Sequence, residues 1–359
     1  MKNITMWLEE VAVAKQKHGI ITPAKLKESQ QAFTAMRTDF NRMSVSRFKE
    51  VLTSSGFNTY MTDALSRRFY DQYKTVGGSW RNYTTSDVAP DLRDVVRYRR
   101  KDRHNMTRRR STQNRRQFGT EVEKEVYGAD EFSEQFEVTW ETILNDDLRE
   151  LTKMPVDMAN VAVEFEDGFV SSLYHNATTQ AYLIGLGAQY AGASALDKAS
   201  LSAGIASMTS RRTTSGALIK VGAIRLVIGQ GSVITAGDIL SNVLAGTAES
   251  NELHRYIGGV DVDPYLVNAS GSEPWYLFAD PNVIPTVPVL RLSGVDRPYV
   301  FTQDSGTRVM SGTAPAALAM GSYENGVISY SVASIIGGND SDEKGGLVDP
   351  NGIYYNSGG

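Results

Sequence analysis

Residues 93–116 read RDVVRYRRKDRHNMTRRRSTQNRR, and residues 121–147 read EVEKEVYGADEFSEQFEVTWETILNDD. The first stretch holds eleven basic side chains, Arg93, Arg97, Arg99, Arg100, Lys101, Arg103, Arg108, Arg109, Arg110, Arg115 and Arg116, opposed only by Asp94 and Asp102. The second holds ten acidic ones, Glu121, Glu123, Glu125, Asp130, Glu131, Glu134, Glu137, Glu141, Asp146 and Asp147, opposed only by Lys124. At ordinary side-chain pKa values each block carries about nine net charges, of opposite sign. A basic run alone points to nucleic acid. A basic run followed by its acidic counterpart points to an arm that pairs with itself or with a second copy of the chain. The contact candidates are Arg99, Arg100, Arg103, Arg108, Arg109, Arg110, Arg115 and Arg116, facing Glu121, Glu123, Glu125, Glu131 and Glu134.

The flanks of this segment carry strand signals. Phe132, Phe136 and Val138 share one parity, as on one face of a strand. The centre, Asn105 to Gly119, is almost wholly polar and offers no apolar face to bury. The pattern predicts a long two-stranded hairpin, each strand of about 20 residues spanning roughly 65 Å.

Downstream, Asn145, Asp146 and Asp147 precede Leu148 as an N-cap signal. Pro155 is expected to start a longer helix, with Met158, Ala162, Phe165, Phe169 and Leu173 as its apolar stripe. Asp157, Glu164, Glu166 and Asp167 are assigned to its other faces. Beyond Leu183 the chain reads as small-residue rich and then α+β. A helix is expected over Ser194–Ser210, capped from Ser194, and another over Asp238–Leu244. Strands are expected at Val221–Ile228, Val260–Val267, Trp275–Ala279, Val287–Leu292, Tyr299–Thr302 and Val327–Ile336, with loop from Gly337 onward. Trp80, Tyr83, Trp140, Trp275 and Tyr276 read as core or interface anchors.

Upstream, Met1 to about Tyr73 reads as polar and helical. Thr22-Pro23 is a helix-start signal. Ser44–Leu52 predicts a short helix ended by Gly56, and Tyr60–Tyr73 a second one with Leu65, Phe69 and Tyr73 on one face. Gly77-Gly78 then breaks the pattern. Helices this short are marginal alone, so the segment reads as an arm that docks on something else.

The 359 residues fit two or three packed modules, and 41% hydrophobic content excludes global disorder. A net charge of -4 argues against a wholly polyanion-binding surface. The absence of cysteine removes disulfides, thiolate metal sites and cysteine nucleophiles. Glu9 and Glu10 stand where a signal peptide needs an apolar core, and no run approaches a membrane span of about 18 apolar residues.

No constellation of catalytic residues stands out. His18, His104, His175 and His254 have no metal-ligand spacing. Gly229-Gln-Gly231 lacks the third glycine of a dinucleotide loop. No enzyme activity, cofactor or metal is expected.

Three stretches resemble tailed-phage major capsid proteins of the Hong Kong 97-like fold, with a texture nearest the Mu-like head subunits. They are Ser46-Arg-Phe-Lys-Glu-Val-Leu52 with Tyr70-Asp-Gln-Tyr73, Trp80 and Thr85-Ser-Asp-Val88; Phe136 through Leu148; and the long helix closing at Leu173-Tyr-His-Asn176. The resemblance implies an α+β fold divided as follows: N-terminal arm over 1–75, extended hairpin (E-loop) over 76–142, P-domain with its spine helix over 143–182, A-domain over 183–320, a strand returning to the P-domain over 321–345, and a tail over 346–359. It implies a subunit that self-assembles into hexamers and pentamers of an icosahedral head. Such a shell encloses double-stranded DNA without sequence-specific binding, has portal, scaffolding or decoration partners, and is assembled in the host cytoplasm. Some members crosslink a loop lysine to a neighbour's asparagine. Here Thr107 to Phe118 holds no lysine, so crosslinking is not expected. The competing reading is a nucleic-acid-binding protein using Arg93 to Arg116.

Overall fold

The computed structural model describes residues 55–100, 108, 111, 122–139, 148–213, 216–241, 252–267, 273–304, 307–310, 327–339 and 343–359. The expectations for Thr22-Pro23, the Ser44–Leu52 helix, Trp140, the Asn145–Asp147 cap and nearly all of the hairpin tip lie outside the described residues. The elements are α1 (Ser55–Val76), β1 (Thr85–Ala89), β2 (Val95–Arg100), β3 (Val122–Thr139), α2 (Leu148–Tyr174), α3 (Ala177–Gly185), β4 (Ala191–Gly192), α4 (Lys198–Thr209), β5 (Ile224–Ile228), α5 (Val233–Leu240), β6 (Ile257–Val262), β7 (Trp275–Phe278), β8 (Pro288–Leu292), β9 (Tyr299–Asp304), β10 (Thr307–Met310), β11 (Val327–Asn339) and β12 (Ile353–Asn356). Helices and strands mix along the chain, an α+β composition.

Two compact units form. One comprises Met1–Gly77, Glu131–Glu164 and Gly294–Ile335, the other Gly78–Asp130, Phe165–Ser293 and Ile336–Gly359. β3, α2 and β11 each contribute residues to both.

In the first unit, Leu65, Phe69 and Tyr73 of α1 are buried with Met158, Ala159, Ala162 and Val163 of α2 and with Val300, Tyr330 and Val332. The four-residue spacing puts the three α1 side chains on one face. Phe69 stacks on Tyr73, ring centroids 6.1 Å apart. Gln72 Nε2 donates to Asn160 Oδ1 at 3.2 Å. β9 pairs antiparallel with β10 and with β11, with Thr302 opposite Tyr330. Two expectations are corrected. Gly56, expected to end a helix, lies inside the first turn of α1, while the Ser44–Leu52 segment before it is outside the described residues. Pro155 lies inside α2 and does not start it. A proline removes one N–H bond of a helix, and the burial of Met158, Ala159, Ala162 and Val163 offsets that loss.

The second unit holds two strand systems. In one, the order is β1, β8, β11, β3, β2. β1 runs parallel to β8 from Thr85 opposite Pro288, and Ile336 of β11 lies opposite Arg291 of β8. In the other, the order is β4, β12, β7, β5, β6. Leu201, Ile205 and Met208 of α4 pack with Leu226, Ile228 and Leu277 of that sheet. Val170, Leu173 and Tyr174 at the end of α2 pack with Tyr276, Phe278, Val289 and Ile336. α4 is capped by Asp197, whose carboxylate accepts from Ser200 N, and not by Ser194.

The tail expected to be loop is also corrected. All four residues of β12 are buried, and β12 pairs with both β4 and β7. Arg211 explains part of this order. Its Nη1 donates to the carbonyls of Pro350, Asn351 and Ile353 at 3.2, 2.8 and 2.8 Å. Its guanidinium also lies 4.1 Å from the Tyr190 ring centroid. Burial pulls its pKa down to about 10. Among the described residues no helix is long and apolar enough to cross a membrane.

Candidate functional site

The charge blocks do meet. β2 and β3 pair antiparallel with Arg97 opposite Glu125, Tyr98 opposite Lys124 and Arg99 opposite Glu123. Opposed residues share a face, so Arg97, Arg99, Glu123 and Glu125 point the same way. Arg99 Nη2 donates to Glu123 Oε2 at 2.8 Å, and its Nη1 lies 2.9 Å from Asp349 Oδ2. Arg97 Nη1 lies 2.6 Å from Asp87 Oδ2 of β1.

The acidic side closes on a lysine from the far end of the chain. Lys344 Nζ donates to Glu125 Oε1 at 3.0 Å and also to Glu123 Oε1. Asn339 Nδ2, at the end of β11, donates to Glu125 Oε2 at 3.2 Å and to Leu347 O at 2.8 Å. Glu125 is 3% exposed, and these donors take the place of the water it loses on burial. The turn that carries Lys344 is itself fixed. Thr179 Oγ1 donates to Lys344 O at 3.2 Å, and Gly346 N to Leu173 O at 3.0 Å. Gly345 has φ +58, and a Cβ there would meet Thr179 Oγ1 at 2.3 Å, so glycine is required twice over.

The electrostatics follow from this packing. Burial pushes the Glu123 carboxyl up, but the hydrogen bond and charge of Lys344, then Arg99, outweigh it and hold it below its ordinary value. Burial pushes the Lys344 ammonium down, and its bonds to Glu123 and Glu125 more than reverse this. Burial, with the charge of Glu125, raises the Tyr127 hydroxyl to about 12. The root of the hairpin is thus a cluster of paired ions that can latch one segment to another.

A second buried carboxylate sits on α2. Glu166, 1% exposed, lies 2.8 Å from Arg291 of β8 and 3.3 Å from Arg81. Nearby, Tyr83 and Tyr174 hydroxyls lie 3.2 Å apart, and Tyr174 donates a short bond to Asp263. Burial raises both tyrosines well above the ordinary range. Among the described residues no group of three or more histidine or acidic side chains is placed to hold a metal ion.

A family model for phage capsid protein matches residues 123–349, well over half of the chain. The chain belongs to the phage capsid protein family. It is a shell-forming capsid subunit, and its working surfaces are those that meet other copies. No curated protein matches it. Among solved structures it is similar to a virus-like particle from Pyrococcus furiosus, at 12% identity over 81% of this chain and 96% of that one, TM-score 0.42. It is similar to the capsid of Myoviridae phage XM1, at 9% identity over 77% and 90%, TM-score 0.44. The capsid of cyanophage P-SCSP1u matches at 8% identity over 78% and 88%, TM-score 0.47. The family assignment rests on the sequence model.

Of the expected contact residues in this capsid protein, the structure brings together Arg99, Glu123 and Glu125. Arg100 takes its ladder position opposite Val122. Arg108 is exposed. Arg103, Arg109, Arg110, Arg115, Arg116 and Glu121 lie outside the described residues. Glu131 accepts from Tyr299 Oη at 3.1 Å, and Glu134 is exposed. In the spine helix Met158 and Leu173 are buried. Phe165 and Phe169, expected in its core, are only half-buried, their rings 6.2 Å apart. Glu166, expected outside, is buried, because two arginines neutralise it.

The sequence reading missed Arg97, Asp87, Asn339, Lys344 and Asp349. Arg97 was visible in the charge block. The others come from distant segments, and only pairing of the long range could have joined them.

Proposed function

We propose that the chain is the major capsid protein of a tailed phage with the Hong Kong 97-like arrangement, closing as hexamers and pentamers into an icosahedral head around double-stranded DNA. The observation that carries this is the hairpin root. Arg97, Arg99, Glu123 and Glu125 tie the base of a charged arm to its own body through Asp87, Asp349 and Lys344. A charged arm anchored at its base suits the ring-forming contacts that identical subunits make with one another. In this reading residues 1–75 are the arm, 76–142 the E-loop, 143–182 the P-domain with its spine helix, 183–320 the A-domain, 321–345 the returning strand and 346–359 the tail. Portal, scaffolding or decoration proteins are its further partners, the DNA lies against the inner surface without sequence-specific contacts, and assembly takes place in the host cytoplasm. The likeness to Mu-like heads stays a resemblance of sequence texture.

The nucleic-acid reading is weaker because Arg97 and Arg99 already hold carboxylates. Expression of the full chain with negative-stain microscopy tests the proposal. Closed shells or capsomers are expected. A monodisperse monomer at high concentration, with DNA affinity that falls steeply with salt, would replace it with the nucleic-acid reading.

A further inference from the structure

We infer that His175 is a proton-operated latch: as the neutral ring it ties α3 to β7 through Gln180 and Tyr276, and on taking up a proton it releases Gln180 and loosens α3. The latch is built within the second unit and does not depend on the shell-forming reading.

His175 follows the last residue of α2 and precedes Asn176, whose side chain caps α3. Its ring is half-buried. Nδ1 lies 2.8 Å from the hydroxyl of Tyr276, a fully buried residue of β7, and 3.1 Å from Nε2 of Gln180 on α3. The amide nitrogen of Gln180 can only donate. Nδ1 must therefore accept, and the proton of the neutral ring stands on Nε2. Gln180 also hydrogen-bonds the Tyr276 hydroxyl. One lone pair of the imidazole thus gathers side chains from two elements.

A proton on Nδ1 turns that acceptor into a donor. The Tyr276 hydroxyl can adapt, because it can rotate its hydrogen and accept. Gln180 cannot, since N–H would then face N–H, so its amide must turn over or swing away. α3 spans nine residues, with Thr179 and Leu183 buried. A helix of that length is marginal alone and depends on such tertiary contacts.

The groups around the ring set the direction. Tyr174 of α2 donates its hydroxyl to Asp263, and the rings of Tyr276 in β7 and Tyr355 in β12 have centroids 5.1 Å apart. Burial raises Tyr174 and Tyr276 well above the ordinary range, so neither ionises near neutrality. Burial also pulls the His175 ring below its ordinary 6.5, and the Val267 backbone and the charge of Asp263, both in the segment after β6, only partly offset this. A folded pKa below the unfolded one means that the neutral latch stabilises the closed state above pH 6.5, and that this contribution is lost as pH falls through the folded pKa. Each unit of separation is a tenfold change in the ratio of closed to open states. The hairpin root is silent in this window, since Glu123 titrates below 4.5.

The test follows the full chain by mass spectrometry in deuterated buffer from about pH 7.5 to about pH 5, the range in which histidine changes charge. Exchange at the ring Cε1–H gives the midpoint of His175. Amide exchange, corrected for the intrinsic effect of pH, gives the opening of α3. The midpoint is expected below 6.5, and protection of residues 177–185 should fall about tenfold for each unit of that difference, while β2 and β3 stay unchanged. A midpoint at or above 6.5, or α3 protection that does not respond to pH, would overturn the latch. Gln180→Glu places an acceptor where the donor stood and should lift the midpoint by stabilising the charged ring. His175→Gln cannot titrate and should abolish the response of α3. An unmoved midpoint in the first variant, or a retained response in the second, would equally overturn it.

Discussion

Nζ of Lys344 lies 3.0 Å from Oε1 of Glu125, and both side chains are buried although 219 residues separate them in sequence. Removing one partner of such a pair leaves the other charge without compensation, at about 3–5 kcal/mol. Lys344→Met is expected near the lower end of that range, since Asn339 still donates to Glu125. The double change Lys344→Met with Glu125→Met should recover much of the loss, because an apolar replacement of a buried pair is often neutral. Thermal melts of the single and double variants check this. A single variant as stable as the parent would mean the clamp contributes nothing.

The same cluster sets a pH dependence. Glu123 is held below its ordinary 4.5, so it stabilises the fold above that value and the contribution fades as pH falls through the lower folded pKa. Lys344 is held above its ordinary 10.5, so its contribution is complete below that value and is lost only as pH rises beyond it. The root should therefore be insensitive across neutral pH and loosen in acid below about 4.5. Hydrogen exchange of the β2 and β3 amides against pH reads this directly. Glu123→Gln should flatten the acid limb, and an unchanged limb in that variant would assign the transition to another group.

Glu166 and the two phenylalanines beside it make a ranking test. Glu166→Ala leaves the buried Arg291 guanidinium without its 2.8 Å partner, and about 3–5 kcal/mol is expected. Val170, fully buried one turn on, should cost more on truncation to Ala than its small size suggests, since it leaves a cavity. Phe165→Ala and Phe169→Ala remove half-buried rings and should fall below the about 3–5 kcal/mol of a fully buried phenylalanine. Solubility and melting midpoints of the set give the order. Phenylalanine variants that are worse than Glu166→Ala would reverse it.

How much of this was legible in the sequence depends on how local each signal is. The pairing of Arg99 with Glu123 was written in the charge blocks, because the two strands of a hairpin are near in sequence. The burial of Leu65, Phe69 and Tyr73 was legible from their spacing alone. Glu166 was misplaced because a lone carboxylate on a helix is ordinarily solvated, and the arginines that reverse this come from 85 residues before and 125 after, at positions 81 and 291. Lys344 and β12 were missed because glycine, aspartate and asparagine around them have the composition of loop. Their order comes from Arg211, Thr179 and Leu173, none of them local. The family likeness reached the function where residue chemistry could not, since a shell contact has no nucleophile, metal or cofactor motif to announce it.

Gly337 and Gly128 give the sharpest packing prediction. A Cβ on Gly337 would lie 1.8 Å from the carbonyl oxygen of Gly128 and 2.6 Å from the Cα of Ala129. These are backbone atoms of the adjoining strand, so nothing flexible can yield, and the two strands must separate. A Cβ on Gly128 instead meets only the Asp94 carboxylate at 3.4 Å, an ordinary contact with a side chain that can move. Gly337→Ala is therefore expected to cost more than the about 1–3 kcal/mol typical of overpacking, and to be lost as insoluble protein. Gly128→Ala should fold and assemble, with a change well under 1 kcal/mol typical of tolerated sites. Soluble yield and melting midpoints of the two variants, made side by side, check the asymmetry. Equal behaviour of the two would mean that β11 and β3 do not approach as closely at this point as the structure places them.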